Sequence, residues 1–100
     1  MAREIAKGKQ LLADLVEALA NDPIRGFSNK DLATALNVQP SSITRAMAEL
    51  AEIGWAEKDP QTGRFRVTAR LSRISARVAV AFAQAEQALK TLQDNHLRNY

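Results

Sequence analysis

Five arginines, at positions 64, 66, 70, 73 and 77, fall within one stretch that contains no aspartate or glutamate. A guanidinium group is always charged and pairs bidentately with phosphate or carboxylate, so an unbalanced block of them is the footprint of a polyanionic partner. A second concentration of polar chemistry comes just before it, in NVQPSSITRAMAELAEIGW (residues 37–55), where Gln39, Ser41, Ser42, Thr44 and Arg45 crowd the start of an apolar-periodic run. Small hydroxyls and free amides at a helix N-terminus bind phosphate oxygens. An arginine one turn further in suits a guanine edge. Capping alone would also account for Ser41 and Ser42, and a solvated surface charge for Arg45. Catalysis finds no comparable set of groups: the chain has one histidine, His96, near its end, no cysteine, and scattered carboxylates. AKGKQ, residues 6–10, lacks the first glycine and the Ser/Thr of a phosphate loop. The sequence therefore predicts no enzyme, no cofactor and no metal site.

The surrounding residues must position these groups. At 100 residues and 46% hydrophobic, the chain suits one small domain, or a domain with an appended helix. Residues 3–20 read as a helix with Ile5, Leu12, Leu15, Val16 and Leu19 on its inner face. Asn21-Asp22-Pro23 ends it, because proline cannot continue the ladder. IRGFS is a short connector, and Ser28 begins a second, nine-residue helix as its cap, with Asp31 near the positive end of the dipole. Leu32, Ala33 and Leu36 face inward. Asn37 suits the left-handed turn residue, and Pro40 the first position of a third helix whose inner face is Ile43, Met47, Leu50 and Ile53, stopped by Gly54. WAEKD and GRFRV then flank turn chemistry at Asp59-Pro60 and Gly63, a two-stranded hairpin in which Trp55 belongs to the core at its base. On the second strand, Arg64 and Arg66 would point away from the face carrying Phe65 and Val67.

From Ala69 to about Asn95 no proline or glycine interrupts, which predicts a helix about 40 Å long. Leu71, Ile74, Val78, Phe82, Ala85, Leu89 and Leu92 form its apolar stripe, with Ala81 and Ala88 alongside. A heptad of that length has nothing left in a small chain to cover it, so a second copy of the same helix is the expected partner. Arg70, Arg73 and Arg77 share one side of it. The domain organisation is then 1–68 for the DNA-binding part and 69–100 for the dimerisation helix.

The stretch GFSNKDLATALNVQPSSITRAMAELAEIGWAEKDPQTGRFRV resembles the DNA-binding domain of the isocitrate-lyase-regulator (IclR) type, over roughly Gly8 to Leu71. Its most specific pieces are the helix ending L-x-E-x-G at Leu50–Gly54 and the wing D-P-x-T-G-R-F at Asp59–Phe65. The resemblance implies a recognition helix over residues 40–53, with Gln39, Ser41, Ser42, Thr44 and Arg45 toward the major groove. Asn37 stands where such proteins usually have glycine. Members usually continue into a sensing domain; with the chain ending at residue 100, a stand-alone bacterial or phage regulator is expected.

The expected fold is thus mainly α with a small β-hairpin, a winged helix-turn-helix plus a long C-terminal helix. The expected function is sequence-specific binding of double-stranded DNA as a homodimer, through Ser28, Gln39, Ser41, Ser42, Thr44, Arg45, Arg64, Arg66, Arg70, Arg73 and Arg77. No long apolar run or signal segment is present, so a cytoplasmic protein without a membrane partner is expected. Two other classes stay open: an architectural or replication-accessory protein binding DNA without sequence preference, and a winged-helix protein–protein adaptor. The arginine block favours DNA over the adaptor.

Overall fold

The computed structural model describes residues 2–98, with side chains from Lys7 to Arg98. Its elements run α1 (Ala2–Ala20), α2 (Asn29–Leu36), α3 (Pro40–Glu52), β1 (Ala56–Lys58), β2 (Phe65–Val67) and α4 (Ala69–Arg98). The chain divides at Arg70 into two compact units, and each is taken separately.

In the first unit, α1 packs against α2, α3 and β2. The apolar spacing of α1 seats Leu15 and Leu19 at 0% exposure, with Leu12 and Val16 half-buried beside them. The side chain of Ile5 lies outside the described residues. Leu32 and Ala33 of α2 and Ile43, Ala46, Met47 and Leu50 of α3 complete the centre, and Ala56 and Val67 of the hairpin close it. Ala33 is buried on the face of α2 that meets the core, where only a small side chain is present. Ile53 departs from its expected inward position and is 53% exposed. Helix α3 has ended at Glu52, and the backbone is already turning away from the buried face.

The local signals explain each boundary. Ser28 caps α2 by a capping box: its hydroxyl accepts from the Asp31 amide, and the Asp31 carboxylate accepts from the Ser28 amide. Asn37 ends α2 in the left-handed region at φ 54°, and the Val38 amide reaches back to the Ala33 carbonyl at 3.1 Å. Pro40 opens α3, and at its far end the Gly54 and Trp55 amides bond Ala51 and Leu50.

The hairpin is antiparallel, with Ala56 opposite Val67, Glu57 opposite Arg66 and Lys58 opposite Phe65. The connector contributes more than its sequence suggests: Phe27 and Phe65 exchange two backbone hydrogen bonds of 2.9 and 2.8 Å, tying the start of α2 to the wing. Gly26 makes this approach possible. A Cβ there would fall onto the Phe65 carbonyl and lie 2.7 Å from Arg66 Cγ, and φ is +73°.

In the second unit, α4 is a continuous helix of 30 residues, three residues longer than the sequence suggests. None of its described residues is buried, and Val78, Val80, Phe82, Leu89, Leu92 and Leu97 are each more than half exposed. Among the described residues, no helix is long and apolar enough to cross a membrane.

The αL geometry at Asn37 sets a test. Asn37→Val is expected to lower unfolding free energy by about 1–2 kcal/mol, whereas Asn37→Gly leaves it unchanged or slightly raised. Urea titration followed by circular dichroism measures both.

Candidate nucleic-acid interface

The first turn of α3 is where the polar chemistry gathers. Gln39 is the N-cap residue, yet its side chain makes no capping bond. The Ser42 amide bonds the Gln39 carbonyl at 2.9 Å and Ile43 does the same at 3.3 Å, which leaves the Ser41 amide without a backbone partner. Pro40 has no N–H, so the first turn offers fewer free amides than the sequence suggests. Gln39, Ser41 and Arg45 are exposed and Ser42 is half-buried. Neither serine caps the helix; Ser41 is open to an external acceptor, while Ser42 lies beside Leu11 and Asp14 of α1 and Val38.

Thr44 sits differently. Its hydroxyl donates to the Pro40 carbonyl at 3.1 Å and accepts from Asn29 Nδ2 at 2.9 Å. The same Asn29 amide donates to the Pro40 carbonyl at 3.2 Å. Thr44 and Asn29 therefore fasten the start of α2 to the first turn of α3. Sequence reading placed Thr44 on the partner and missed Asn29 altogether, because a pairing of residues fifteen apart leaves no local signal.

The arginines split into two groups. Arg64 precedes β2 rather than lying in it, and its guanidinium turns toward the connector: Nη2 donates to the Gly26 carbonyl at 2.9 Å and Nε to the Arg25 carbonyl at 3.2 Å, with Asp31 at 3.5 Å. Arg66 lies against Asp59 at 3.5 Å and Glu57 at 3.9 Å. Arg70 donates to the Ile53 carbonyl at 2.9 Å and stacks 4.8 Å from the Trp55 ring. Trp55, expected in the core, is half-buried beneath that guanidinium. The absence of acidic residues within 64–77 thus misled: Asp31, Glu57 and Asp59 arrive from other elements. Arg73 and Arg77 are exposed on α4, and Arg45 on α3. Ser28 has its hydroxyl oxygen engaged as the α2 cap.

Magnitudes decide what this means. Partly exposed ion pairs such as those of Arg66 contribute about 0–1 kcal/mol, so a phosphate can displace them. The two carbonyl bonds of Arg64 are part of the fold's closure, and releasing them leaves unpaired carbonyls behind.

The wing tip explains its own motif. Asp59 Oδ1 accepts from the Gln61 amide at 2.8 Å and from Thr62 at 3.4 Å, Thr62 Oγ1 accepts from the Arg64 amide at 3.2 Å, and Gly63 takes φ +73°. Those amides hold the Asp59 carboxyl below its ordinary value of 3.8, with Arg66 adding to the effect. Asp31 is lowered likewise, first by the Ser28 amide and hydroxyl and then by Arg64.

Three helices whose second and third cross about a tight turn, followed by a two-stranded hairpin, define a winged helix-turn-helix. Residues 12–60 match the family described as the IclR helix-turn-helix domain. No curated protein matches the sequence significantly. Among solved structures, the chain is similar to the Zalpha domain of ORF112 from Cyprinid Herpesvirus 3, determined for its binding mode to Z-DNA. There the TM-score is 0.55 at 20% identity, over 60% of this chain and 95% of that one. It is also similar to the PcaV transcriptional regulator from Streptomyces coelicolor, solved with its natural ligand, at a TM-score of 0.50 and 22% identity over 88% of this chain and 74% of that one. At these identities the two likenesses establish the fold.

Both lowered carboxyls are more acidic folded than unfolded, so the stability they add is present above the ordinary aspartate value and is lost as pH falls through their folded values. Unfolding midpoints measured from pH 6 down to 2 are expected to fall once pH drops below about 4. The Asp31→Asn, Asp59→Asn double variant should be less stable at pH 6 and show a flatter decline.

Proposed function

We propose that the chain is a sequence-specific, double-stranded-DNA-binding transcriptional regulator that acts as a homodimer. The observation that carries this reading is the first turn of α3. Gln39, Ser41, Ser42 and Arg45 present groups without intramolecular hydrogen bonds, while Thr44 and Asn29 hold that turn in place from behind. In the proposed complex α3 enters the major groove. Ser41 and Ser42 take phosphate oxygens, and Gln39 and Arg45 meet base edges. Arg73 and Arg77 contact the phosphate backbone. The hairpin, residues 55–67, lies on the backbone or minor groove, where Arg66 reaches a phosphate by leaving Glu57 and Asp59. Residues up to about 68 form the DNA-binding part, and residues 69–100 the dimerisation helix. Arg70 is more a brace between Ile53 and Trp55 than a phosphate contact, so Arg73 and Arg77 are the better probes of backbone binding.

Selection of random duplex DNA by the purified protein at near-physiological salt tests the reading. It should enrich a two-fold-symmetric motif. Binding without enrichment would replace the reading with architectural binding, and recovery of no DNA even at low salt would leave a protein–protein adaptor.

Arg45→Ala is expected to relax base preference at one position of each half-site, at about 1–3 kcal/mol of lost discrimination. Arg73→Ala should weaken all sequences equally and lower the salt slope by about 1. Equal losses on every sequence for Arg45→Ala would contradict its assignment.

Charged residues at Val78 and Phe82 should convert a dimer to a monomer; light scattering of Val78→Asp/Phe82→Asp reads the mass directly.

A further inference from the structure

We propose that α4 pairs with α4 of a second copy in antiparallel orientation, in the single register that sets residue i against residue 163 − i. This rests on the homodimer reading above and adds polarity and register to it. The stripe is self-complementary under that operation: Leu71 opposes Leu92, Ile74 opposes Leu89, Val78 opposes Ala85, and Ala81 opposes Phe82. A two-fold interface uses the same patch on both copies, so such self-complementarity is what it requires. At the centre, each Phe82 meets an alanine rather than its own copy, and large faces small at the two middle levels. A parallel pair in register would set Phe82 against Phe82 and Ala81 against Ala81, bulging and then leaving a gap.

Exposure and charge agree. Val78, Phe82, Leu89 and Leu92 are 51–70% exposed on α4, a line of large side chains with no cover. Residues 70–77 carry Arg70, Arg73 and Arg77 and no acid, whereas residues 86–93 carry Glu86 and Lys90 and no net charge. Antiparallel pairing sets the basic segment of each copy against the neutral segment of the other. Parallel pairing would gather both basic segments at one end, within about one Debye length of 8 Å. The overlap from Leu71 to Leu92 offers 22 residues a side.

The arrangement also bears on DNA. In the antiparallel pair the two Leu71 positions, where the DNA-binding units attach, stand about 32 Å apart along the helix pair. The two DNA-binding units are then carried from opposite ends of the pair. A parallel pair would bring both attachments to the same end.

The chain has no cysteine, so disulfide trapping has a clean background. Ile74→Cys and Leu89→Cys are prepared separately in the full chain, then mixed and oxidised without DNA. The expected result is a covalent dimer of doubled mass containing one of each, with neither variant cross-linking alone, since copies of the same position would lie about 22 Å apart. Val78→Cys with Ala85→Cys repeats the test in case the first pair disturbs the helix. Efficient cross-linking of either variant with itself would overturn the antiparallel register. A monomeric mass for the unmodified protein by light scattering, together with no mixed product, would overturn both the pairing and the homodimer. A dimeric mass with self-linked products would remove only the polarity.

Discussion

Everything the surface offers depends on the burial of one side of α3. Ile43, Ala46, Met47 and Leu50 repeat at helical spacing and lie between 0 and 5% exposed against α1, α2 and the hairpin. Burying each large aliphatic side chain contributes about 1.5–3 kcal/mol, which fixes the rotation of the helix about its axis. Once that face is committed, Ser41 and Arg45 have no choice but to point out. The rotation is reinforced at the N-terminal end, where the Asn29 amide bonds both the Pro40 carbonyl and the Thr44 hydroxyl. The exposed face of α3 is thus set by a packing constraint behind it and a polar fastening beside it.

The charges follow the same division of labour. A positive total and a block of arginines describe attraction toward a polyanion without saying which guanidinium groups are available. Arg64 closes the connector over the start of α2, and Arg70 braces the end of α3 by bonding the Ile53 carbonyl and stacking on Trp55. These two hold the frame. Arg45, Arg73 and Arg77 stay exposed and keep their donors for a partner. Arg66 stands between the groups, held by pairs weak enough for a phosphate to displace.

Much of the fold was legible from short-range pattern. Helical spacing marked α1 and α3, Ser28 and Asp31 marked the α2 cap, Asn37 the left-handed turn, Pro40 the start of α3, and Asp59 through Gly63 the wing turn. Each is decided by groups within four residues of one another, which is why the sequence alone carries it. Ile53 is a local boundary effect, whereas two other readings lacked partners that come from elsewhere in the chain. Ile53 keeps the helical period but lies beyond the last residue of α3. Thr44 looks like an exposed hydroxyl until Asn29 arrives from another helix. The arginine block looks unbalanced until Asp31, Glu57 and Asp59 are brought beside it.

Local chemistry in the sequence therefore determined the elements, their caps, the turn types and the outward face of α3. Backbone conformational limits and helical periodicity act over a few residues and need no knowledge of the rest of the chain. Only the tertiary structure decided which of the exposed-looking polar groups are spoken for. Hydrogen bonds and ion pairs between residues fifteen to thirty-nine positions apart exist only once burial of the apolar faces has brought α2, α3 and the wing together.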